Sequence, residues 1–247
     1  MIKILVVGET CTDRFIYCNT SRFSPEAPVP VLTPIETKTN PGMAGNVVAN
    51  LRSLSKNLRI VEWHQEELIF KTRYVEKKSN HMFMRFDEGE SIIVGLGLSI
   101  AKREMIKDFD IVIVSDYDKG FITNDILIEI GNLAKLSILD SKRKLTKEII
   151  DAYTFVKLNE SEAISNKSLG DFNNLIVTLG SKGCMFNDKI YESPNPQETI
   201  DVSGAGDTFT SSFILKYFET KDIDTSIIHA NEMSAIVVSK RGVATPI

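Results

Sequence analysis

Cysteine is scarce in this chain, with only Cys11, Cys18 and Cys184 among 247 residues. Three widely separated cysteines cannot form the dense disulfide framework of small secreted domains, and no pair has the CxxC spacing typical of a metal site. We therefore expect free, buried cysteines in a reducing compartment. The three histidines are equally dispersed along the chain and do not suggest a metal cluster.

The sequence also lacks a long hydrophobic run. No apolar stretch approaches the roughly 18 residues that a membrane span requires. The opening segment, MIKILVVGET, has no small-residue cleavage site before polar residues resume. This segment therefore predicts a first strand and not a signal peptide, and we expect a soluble, cytoplasmic protein with no membrane partner.

An excess of positive charge is missing as well. Lysine and arginine number 29 against 33 aspartates and glutamates, which leaves a net charge of −4. A protein that binds nucleic acid through phosphate contacts normally shows a basic stripe, and here the basic residues are spread along the chain. We therefore expect no nucleic-acid partner. The remaining composition, 43% hydrophobic and 25% charged, is typical of a globular protein.

Short apolar runs alternate with helical patterns along the chain. Helical spacing of apolar residues covers Ala44–Leu54 and Ile126–Leu136, and the second pattern has a start signal at Thr123 or Asn124. The apolar runs, each typical of a strand buried on both faces, are 2–7, 110–114, 137–139, 155–158 and 175–179. This alternation predicts an α/β fold with a mostly parallel sheet.

Two stretches break this rhythm. Pro25–Thr39 contains four prolines, which confine its strands to a sheet edge or to a place outside the main sheet. Lys71–Asp87 alternates polar and apolar residues around Ser79-Asn80 and predicts a β-hairpin. Together they predict a small β lid, from about 15–39 and 70–87, on a single α/β domain that spans 1–247.

The strongest chemical signal is the segment Asp201-Val-Ser-Gly-Ala-Gly-Asp207 immediately before an apolar helical run. Gly204, Ala205 and Gly206 leave backbone N–H groups exposed at a helix start, which makes an anion site. Asp207 then falls in the first helical turn. A carboxylate there repels a simply bound phosphate, but it can accept a proton from a hydroxyl that attacks a phosphoryl group. The alternative is a glycine turn with Asp207 as a plain helix cap.

Other motifs of nucleotide binding and catalysis are missing. The sequence has no GxxxxGK[ST] P-loop, no GxGxxG after the first strand, no HExxH and no GxSxG nucleophile elbow. The segment that ends in Asp207 is therefore the leading candidate for the chemistry.

The segment Asp201–Phe209 resembles the second signature of the ribokinase-like (PfkB-type) carbohydrate kinases. Four further stretches resemble this family and occur in the family's order: Gly8 with Asp13, Pro41–Asn46, Asn159–Glu162 and Val177–Gly183. The resemblance implies a ribokinase-like three-layer α/β fold with a mostly parallel central sheet and a small β lid. It also implies ATP-dependent phosphorylation of a sugar or sugar phosphate, with Mg²⁺ bound together with the nucleotide.

The resemblance also implies a role for individual residues. Asp207 would be the general base, and the residues around the transferred phosphoryl group would be Gly204, Ala205 and Gly206. The residues implied for binding the sugar are Asp13, Gly42, Asn46 and Lys119. The residues implied for binding the nucleotide are Lys142, Asn159, Glu162, Thr178, Gly180, Gly183 and Asn231, with Glu162 also reaching magnesium through a water.

Several of these residues have an ordinary structural interpretation too. Asp13 can cap a turn, and Asn46 can be the N-cap of a helix. Glu162 can simply stabilise a helix N-terminus. Lys119 and Lys142 can be surface lysines. Both interpretations of each residue stay open from the sequence.

Three stretches are most similar to the heptose-7-phosphate kinases within this family: 13–15, 20–31 and 114–120. In that branch the kinase is often fused to an adenylyltransferase that makes ADP-heptose, and the HxGH motif of such transferases is absent here. The implied substrate is D-glycero-D-manno-heptose 7-phosphate, phosphorylated at its anomeric hydroxyl. A kinase for a fructose or ribose derivative, or a shortened non-catalytic nucleotide- or sugar-binding protein, stays open.

The chain departs from the family's pattern at several positions. Met43 stands where the second glycine of the sugar loop usually lies, Glu9 replaces an aspartate, and Ser141 replaces a proline. Leu58–Glu67 is expected to join the first helix almost directly to the hairpin, where relatives carry a strand-helix-strand unit.

The lid also predicts an assembly. Its strands are limited by proline to edge positions and are expected to expose Val29, Val31 and Leu32. A second copy of the chain would cover these residues, so we expect a homodimer that forms through the lid, as in many members of the family.

Overall fold

The computed structural model of the protein describes residues 1–91, 93–167, 170, 172–194, 204–239 and 245–246. The strands of these residues are β1 (Ile2–Gly8), β2 (Thr10–Phe23), β3 (Pro30–Met43), β4 (Leu58–Trp63), β5 (Phe70–Glu76), β6 (Met82–Glu88), β7 (Ile111–Asp116), β8 (Ser137–Ser141), β9 (Phe155–Asn159), β10 (Leu175–Thr178), β11 (Cys184–Phe186) and β12 (Lys189–Tyr191). The helices are α1 (Ala44–Leu54), α2 (Ile100–Asp108), α3 (Asn124–Leu133), α4 (Lys147–Ala152), α5 (Glu160–Asn166), α6 (Ala205–Thr220) and α7 (Ile223–Val238).

The main sheet has eight strands in the order β12-β11-β10-β9-β8-β7-β1-β4, and its pairings from β4 to β10 are parallel. One face packs against α1, α6 and α7, with Phe213 fully buried at its centre. The other face packs against α2, α3 and α4. Because both faces are covered, the central strands are predominantly apolar, and the predicted three-layer α/β arrangement is confirmed.

The lid is a separate four-stranded sheet in the order β3-β2-β5-β6. The proline-rich strand β3 lies at its edge, and β5 and β6 form the predicted antiparallel hairpin. The lid strands begin earlier and end later than predicted. Strand β2 starts at Thr10, directly after β1, and β3 runs to Met43, immediately before α1. Thr10 and Met43 are paired with each other, so this one end of the β2–β3 pair lies against the main body.

Two predicted boundaries need correction. Leu58–Glu67 is not a plain connection, because Leu58–Trp63 forms β4 and pairs in parallel with β1 at the edge of the main sheet. This pairing satisfies the backbone groups that β1 would otherwise leave open on that side. Helix α3 ends at Leu133 and not at Leu136, because the chain must turn to enter β8 at Ser137.

The apolar surface of the lid also differs from the prediction. Val29 is 51% exposed, but Val31 and Leu32 are already half-buried. The lid also exposes larger apolar side chains, each between 50% and 71% exposed: Met82, Met84 and Phe86 on β6, Phe23 on β2 and Ile35 on β3. Because β6 and β3 are the two edge strands of the lid, exposed apolar side chains lie at both edges and not only on the strand with the prolines.

Two further expectations concern cysteines and membranes. All three cysteines are free and buried, as predicted. Among the helices of the described residues, none combines the length and the apolar character that crossing a bilayer would require.

Candidate functional site

A cavity of about 590 Å³ lies where β8, β9 and β10 end and α6 begins. In open α/β sheets, ligands collect at this carboxyl edge of the parallel strands. The cavity brings together ten residues predicted from the sequence: Lys142, Asn159, Thr178, Gly180, Gly183, Gly204, Ala205, Gly206, Asp207 and Asn231. It also contains side chains that sequence reasoning missed, among them Tyr117, Asp140, Lys157 and Phe209.

The glycine turn at the start of α6 has the geometry of an anion site. Gly204 is the N-cap residue with φ 86°, a left-handed conformation that a residue with a side chain adopts only at a cost. The backbone N–H groups of the first helical turn have no partner within the helix and carry the positive end of its dipole. Asp201, at the start of the signature, lies outside the described residues.

Asp207 is the third residue of α6 and is buried, with 6% of its surface exposed. Its Oδ2 accepts a hydrogen bond of 2.7 Å from Asn46 Nδ2 of α1. Burial, and then the nearby negative charge of Asp140, raise the pKa of Asp207 to about 6. The carboxylate therefore contacts another helix and borders the cavity, which a plain helix cap would not require.

Asn46 is not the N-cap of α1 either. That position belongs to Met43, and Asn46 is the third residue of the helix. Its Oδ1 accepts a hydrogen bond from Asn50 Nδ2 at 3.2 Å while its own amide nitrogen donates to Asp207. The amide of Asn46 is therefore oriented from both sides, and it connects α1 to the candidate base.

Lys157 and Asp140 form a buried ion pair beside this turn, and neither was predicted. Lys157 Nζ lies 2.8 Å from Asp140 Oδ2, and the two side chains are only 3% and 5% exposed. A Cβ atom added to Gly206 would lie 2.8 Å from Lys157 Nζ, so this ammonium group sits directly against the glycine turn. Burial acts to raise the pKa of Asp140, but the positive charges of Lys157 and Lys142 outweigh it and hold that pKa below its usual value.

A signal for this pair was present in the sequence. Lys157 interrupts the apolar run of β9, and a lysine is almost never fully buried unless it is paired. The partner could not be identified in the same way, because Asp140 belongs to a different strand and comes beside Lys157 only through the parallel pairing of β8 with β9.

Asn159 and Glu162 form a capping box at the start of α5. The Asn159 side chain accepts from the N–H of Glu162 at 2.9 Å, and the Glu162 carboxylate accepts from the N–H of Asn159 at 2.7 Å. Glu162 also accepts from Lys142 Nζ at 2.7 Å. The helix-stabilising interpretation of Glu162 is therefore observed. Lys142 borders the cavity, with its ammonium held by Glu162.

The far wall of the cavity comes from β10, the turn that follows it, and α7. Thr178 ends β10, Gly180 begins a short 3-10 turn and Gly183 follows it. Asn231, on the last helix of the described residues, donates to the backbone oxygen of Tyr191 at 3.0 Å. Its amide therefore holds the end of β12 in place at the cavity border.

The predicted sugar-binding residues lie at the junction of lid and body. Asp13 is a strand residue of β2 and not a turn cap, and it is 7% exposed. A Cβ atom at Gly42 would lie 2.3 Å from Asp13 Oδ2, so only glycine allows the carboxylate its present position. Arg73 of β5, which sequence reasoning missed, donates to Asp13 Oδ1. Lys119 does not line the cavity and donates to Glu90 at 2.6 Å.

The departures from the family's pattern have visible consequences. Met43 has φ 57°, a conformation that favours glycine, and its side chain is nevertheless buried against Cys11 and Ile69. Ser141 donates through its hydroxyl to the buried Asp116 at 2.6 Å. Glu9 is fully buried and binds the loop after β7. The three residues that differ from the family's pattern therefore pack or form hydrogen bonds around the site.

The fold and the Gly-Ala-Gly-Asp turn together are typical of an α/β enzyme that binds a phosphate-bearing ligand at the carboxyl edge of its sheet. The model of the pfkB family of carbohydrate kinases matches residues 114–247, more than half of the chain. The chain belongs to this family and is a carbohydrate kinase. Kinases of the ribokinase family use ATP.

Among curated relatives, the bifunctional protein HldE of Campylobacter jejuni is 32% identical, over 97% of this chain and 62% of the relative. The bifunctional protein HldE of Nitratiruptor is 28% identical, over 98% of this chain and 63% of the relative. The chain thus spans less than two thirds of the length of these proteins.

Solved structures share the fold. A ribokinase from Thermotoga maritima matches with a TM-score of 0.73 at 18% identity, covering 98% of this chain and 95% of that one. Phosphofructokinase-2 from Escherichia coli in complex with potassium matches with a TM-score of 0.73 at 15% identity, covering 98% and 94%. The ribokinase-like fold predicted from the sequence is confirmed.

Proposed function

We propose that this carbohydrate kinase transfers the γ-phosphoryl group of ATP to the anomeric hydroxyl of D-glycero-D-manno-heptose 7-phosphate. The observation that carries the proposed chemistry is the buried carboxylate of Asp207 at the glycine turn, hydrogen-bonded to Asn46. The choice of sugar is supported by the relatives named HldE, which are heptose kinase/adenylyltransferases. It is also supported by the segments 13–15, 20–31 and 114–120, which resemble the heptose branch.

Asp207 acts as the general base in this proposal. The anomeric oxygen of the acceptor forms a bond to the γ-phosphorus, the bond from that phosphorus to the β,γ-bridging oxygen breaks, and ADP leaves. The proton of the attacking hydroxyl passes to Asp207. A carboxyl with a pKa of about 6 is ionised at neutral pH and yet close enough to it to be an effective proton acceptor.

The negative charge that develops on the transferred phosphoryl group is stabilised by hydrogen-bond donors whose positions are fixed before the reaction. The N–H groups at the start of α6 and the ammonium of Lys157 lie on one side of the cavity. Because these groups are held in a partly dry site, they stabilise charge without having to reorganise. Gly204, Ala205 and Gly206 supply the backbone donors, and Lys142, Asn159, Thr178, Gly180, Gly183 and Asn231 border the nucleotide.

The residues present also fit a magnesium ion that arrives with the nucleotide. Magnesium prefers oxygen ligands and needs only one or two carboxylates when phosphates supply the rest. Asp140 Oδ1 is buried and has no hydrogen-bond partner among the described residues. We infer that Asp140 and, through a water, Glu162 hold the ion, which when bound neutralises charge on the phosphates.

The acceptor is held at the junction of lid and body. Asp13 Oδ2 faces Gly42, and Asn46 connects the same loop to Asp207. A carboxylate and an amide in this position can bind adjacent sugar hydroxyls and hold one of them beside the base. The lid closes over the acceptor and excludes water, which would otherwise compete for the phosphoryl group.

The test is ADP release by the purified protein with a panel of acceptors at equal concentration. The panel contains heptose 7-phosphate, fructose, ribose and the monophosphates of the last two. We expect the highest kcat/KM with heptose 7-phosphate. A higher value with a fructose or ribose derivative would refute the heptose assignment and leave a kinase for another sugar. No turnover with any member, together with nucleotide binding, would favour a non-catalytic binding protein.

We also propose a homodimer through the lid. In a strand, neighbouring side chains point to opposite faces, so Met84 and Phe86 lie on the opposite face of the lid from Arg85. Arg85 is opposite Arg73 in the β5–β6 register. Arg73 donates to Asp13, so its face of the lid is the one toward the site. Two half-exposed apolar side chains on one face are typical of an interface.

Light scattering at micromolar concentration tests this assembly. We expect twice the monomer mass of 27.6 kDa for the native chain. The double variant Met84→Ser/Phe86→Ser is expected to be a monomer, and Ile164→Ser, at an exposed position of α5, is the control that should stay dimeric. A native chain of monomer mass contradicts the proposal.

A further inference from the structure

Tyr117 has no role in the chemistry described so far, although it lies at the centre of the site. It follows β7 directly and lines the cavity together with Asp207 and Lys142. It also packs against the small apolar cluster of Cys11, Met43 and Ile69 beneath the lid. Tyr117 therefore borders both the phosphoryl-transfer cavity and the acceptor end.

The ring of Tyr117 is held by one cation from each half of the molecule. Lys71 Nζ of the lid strand β5 lies 5.5 Å from the ring centroid, and Lys142 Nζ, after β8, lies 5.6 Å from it. A cation at this distance from the ring face is attracted by the ring's electron density. Each lysine is itself paired with an acid, Glu90 and Glu162 respectively. The position of the ring is thus determined from both sides.

The backbone of Tyr117 is also held in place, by hydrogen bonds to a buried carboxylate. The carboxylate of Glu9, which is fully buried, accepts hydrogen bonds from the N–H groups of Tyr117, Lys119 and Phe121 at 2.9, 3.1 and 3.2 Å. Three hydrogen bonds to one carboxylate fix the loop that donates them. Glu9 therefore fixes the backbone position of Tyr117.

The hydroxyl of Tyr117, in contrast, makes no hydrogen bond to any residue in the described part of the chain. Burial, and then the negative charges of Asp207 and Asp140, raise the pKa of this phenol well above 10. The hydroxyl therefore stays protonated and remains a donor throughout the working pH range. A partly buried tyrosine usually finds a partner for its hydroxyl, and here the cavity is where that partner would come from.

We propose that Tyr117 is a further substrate-contacting residue, whose hydroxyl donates a hydrogen bond to the acceptor sugar next to the hydroxyl that Asp207 deprotonates. The acceptor, and not the nucleotide, is the partner because the ring packs on Cys11 and Met43, which adjoin Gly42 and Asp13. This inference rests on the proposed function, because it assumes that a sugar occupies the junction of lid and body.

The test compares Tyr117→Phe with the native chain. This change removes only the hydroxyl and keeps the ring between Lys71 and Lys142. One neutral hydrogen bond contributes about 0.5–1.5 kcal/mol, so we expect kcat/KM for the acceptor to fall about 2- to 13-fold. The KM and Kd for ATP should not change. Tyr117→Leu, which also removes the ring, should lose more in kcat/KM than Tyr117→Phe.

Tyr153→Phe is the matched control. Its hydroxyl donates to the backbone oxygen of Leu127 at 2.9 Å, among buried residues away from the cavity. Losing this bond should lower the melting temperature and leave both substrates' KM values unchanged. If Tyr117→Phe behaves like Tyr153→Phe, with a lower melting temperature and a native KM for the acceptor, Tyr117 has only a structural role and the proposal is wrong.

Two readouts separate this proposal from the choice of sugar. The variants are assayed with whichever acceptor the native chain phosphorylates fastest, so a different preferred sugar refutes heptose and still measures Tyr117. The rise in melting temperature caused by the acceptor alone needs no turnover, and it should be smaller in Tyr117→Phe. An acceptor that stabilises both proteins equally overturns the proposal, and so does a native chain that no acceptor stabilises.

Discussion

The site has a nucleotide end at the glycine turn of α6 and an acceptor end at the junction of lid and body, and different kinds of groups form the two ends. The nucleotide end uses backbone N–H groups and small residues that are adjacent in sequence, Gly204 to Gly206, and the buried ammonium of Lys157 lies against them. The acceptor end uses residues from separate strands. Asp13 comes from β2, Gly42 from β3 and Arg73 from β5.

Both ends contain ion pairs, but they differ in what is left for a ligand. At the nucleotide end, Lys157 pairs with Asp140 and Lys142 pairs with Glu162. Asp140 Oδ1 nevertheless has no hydrogen-bond partner among the described residues, and the N–H groups at the start of α6 can bind a ligand without breaking an ion pair. At the acceptor end, Arg73 pairs with Asp13, Lys119 with Glu90 and Arg85 with Asp87. The nucleotide end therefore offers preformed donors, whereas the acceptor must compete with Arg73 for Asp13. Substitutions at the two ends should therefore affect the two substrates separately.

Asp207 lies where the two ends meet, and its replacement should have the largest effect. Asp207→Asn keeps the shape of the side chain and its contact with Asn46 but cannot take a proton. We expect turnover to fall by about 10²–10⁴-fold, the usual contribution of general-base catalysis. ATP affinity, measured by calorimetry, should be kept or slightly increased because a negative charge near the phosphates is gone. A variant that keeps more than about a tenth of native turnover would show that Asp207 is not the base.

The same variant should change how stability depends on pH. The folded chain holds the Asp207 proton until about pH 6, whereas the unfolded chain releases it near 3.8. Between these values the folded state binds more protons, so the free energy of unfolding falls as the pH rises. The loss is complete above pH 6 and amounts to about 3 kcal/mol at most. Asp207→Asn lacks this loss.

Asp207→Asn should therefore be more stable than the native chain at pH 8 and equal to it below pH 4. Denaturant titrations at both pH values measure the difference. Glu104→Gln, at a surface carboxylate of α2, is the control and should show no such crossover. A stability difference between native chain and Asp207→Asn that is the same at both pH values would contradict the raised pKa.

This comparison also explains what could be predicted from the sequence. The nucleotide turn is a local pattern, so Gly204 to Asp207 were identified from adjacent residues. Arg73, Asp140 and Tyr117 were missed because each reaches the site through strand pairing or loop packing between distant segments.

The fold shows the same division between local and distant information. The boundaries of the five predicted buried strands were correct to within two residues because these strands are predominantly apolar. Strand β4 was missed because Arg59 and Glu62 interrupt its apolar residues at the sheet edge. Which strands pair, and which side chains then meet, depends on contacts that no single segment encodes.

Lys157 tests the nucleotide end itself. Lys157→Met keeps the length of the side chain and removes the ammonium that lies against Gly206. Removing one preorganised donor to the developing charge typically lowers kcat about 10²–10³-fold. The KM for the acceptor should stay close to native, because Lys157 lies on the nucleotide side of Asp207. Initial rates over a grid of both substrate concentrations separate these parameters.

Lys157→Met alone leaves the Asp140 carboxylate buried without its partner, which costs about 3–5 kcal/mol of stability. The double variant Lys157→Met/Asp140→Asn removes both charges and is the control for folding. We expect it to regain most of the melting temperature and none of the turnover. Turnover that returns together with stability would mean that the pair supports only the fold.

Gly42 tests the acceptor end, with the smallest expected effect. In Gly42→Ala the new Cβ atom would lie 2.3 Å from Asp13 Oδ2 and 2.5 Å from Cys11 Sγ, so the carboxylate must move. Displacing one hydrogen bond to a charged group costs about 1.5 kcal/mol or more, and we expect a roughly tenfold rise in the KM for the acceptor. Gly97→Ala is the control, because nothing lies within 4 Å of the added atom. The Kd for ATP should be native in both variants. If Gly42→Ala raises the Kd for ATP as much as the KM for the acceptor, the two ends are not independent. The expectation that substitutions at the two ends affect the two substrates separately is then wrong.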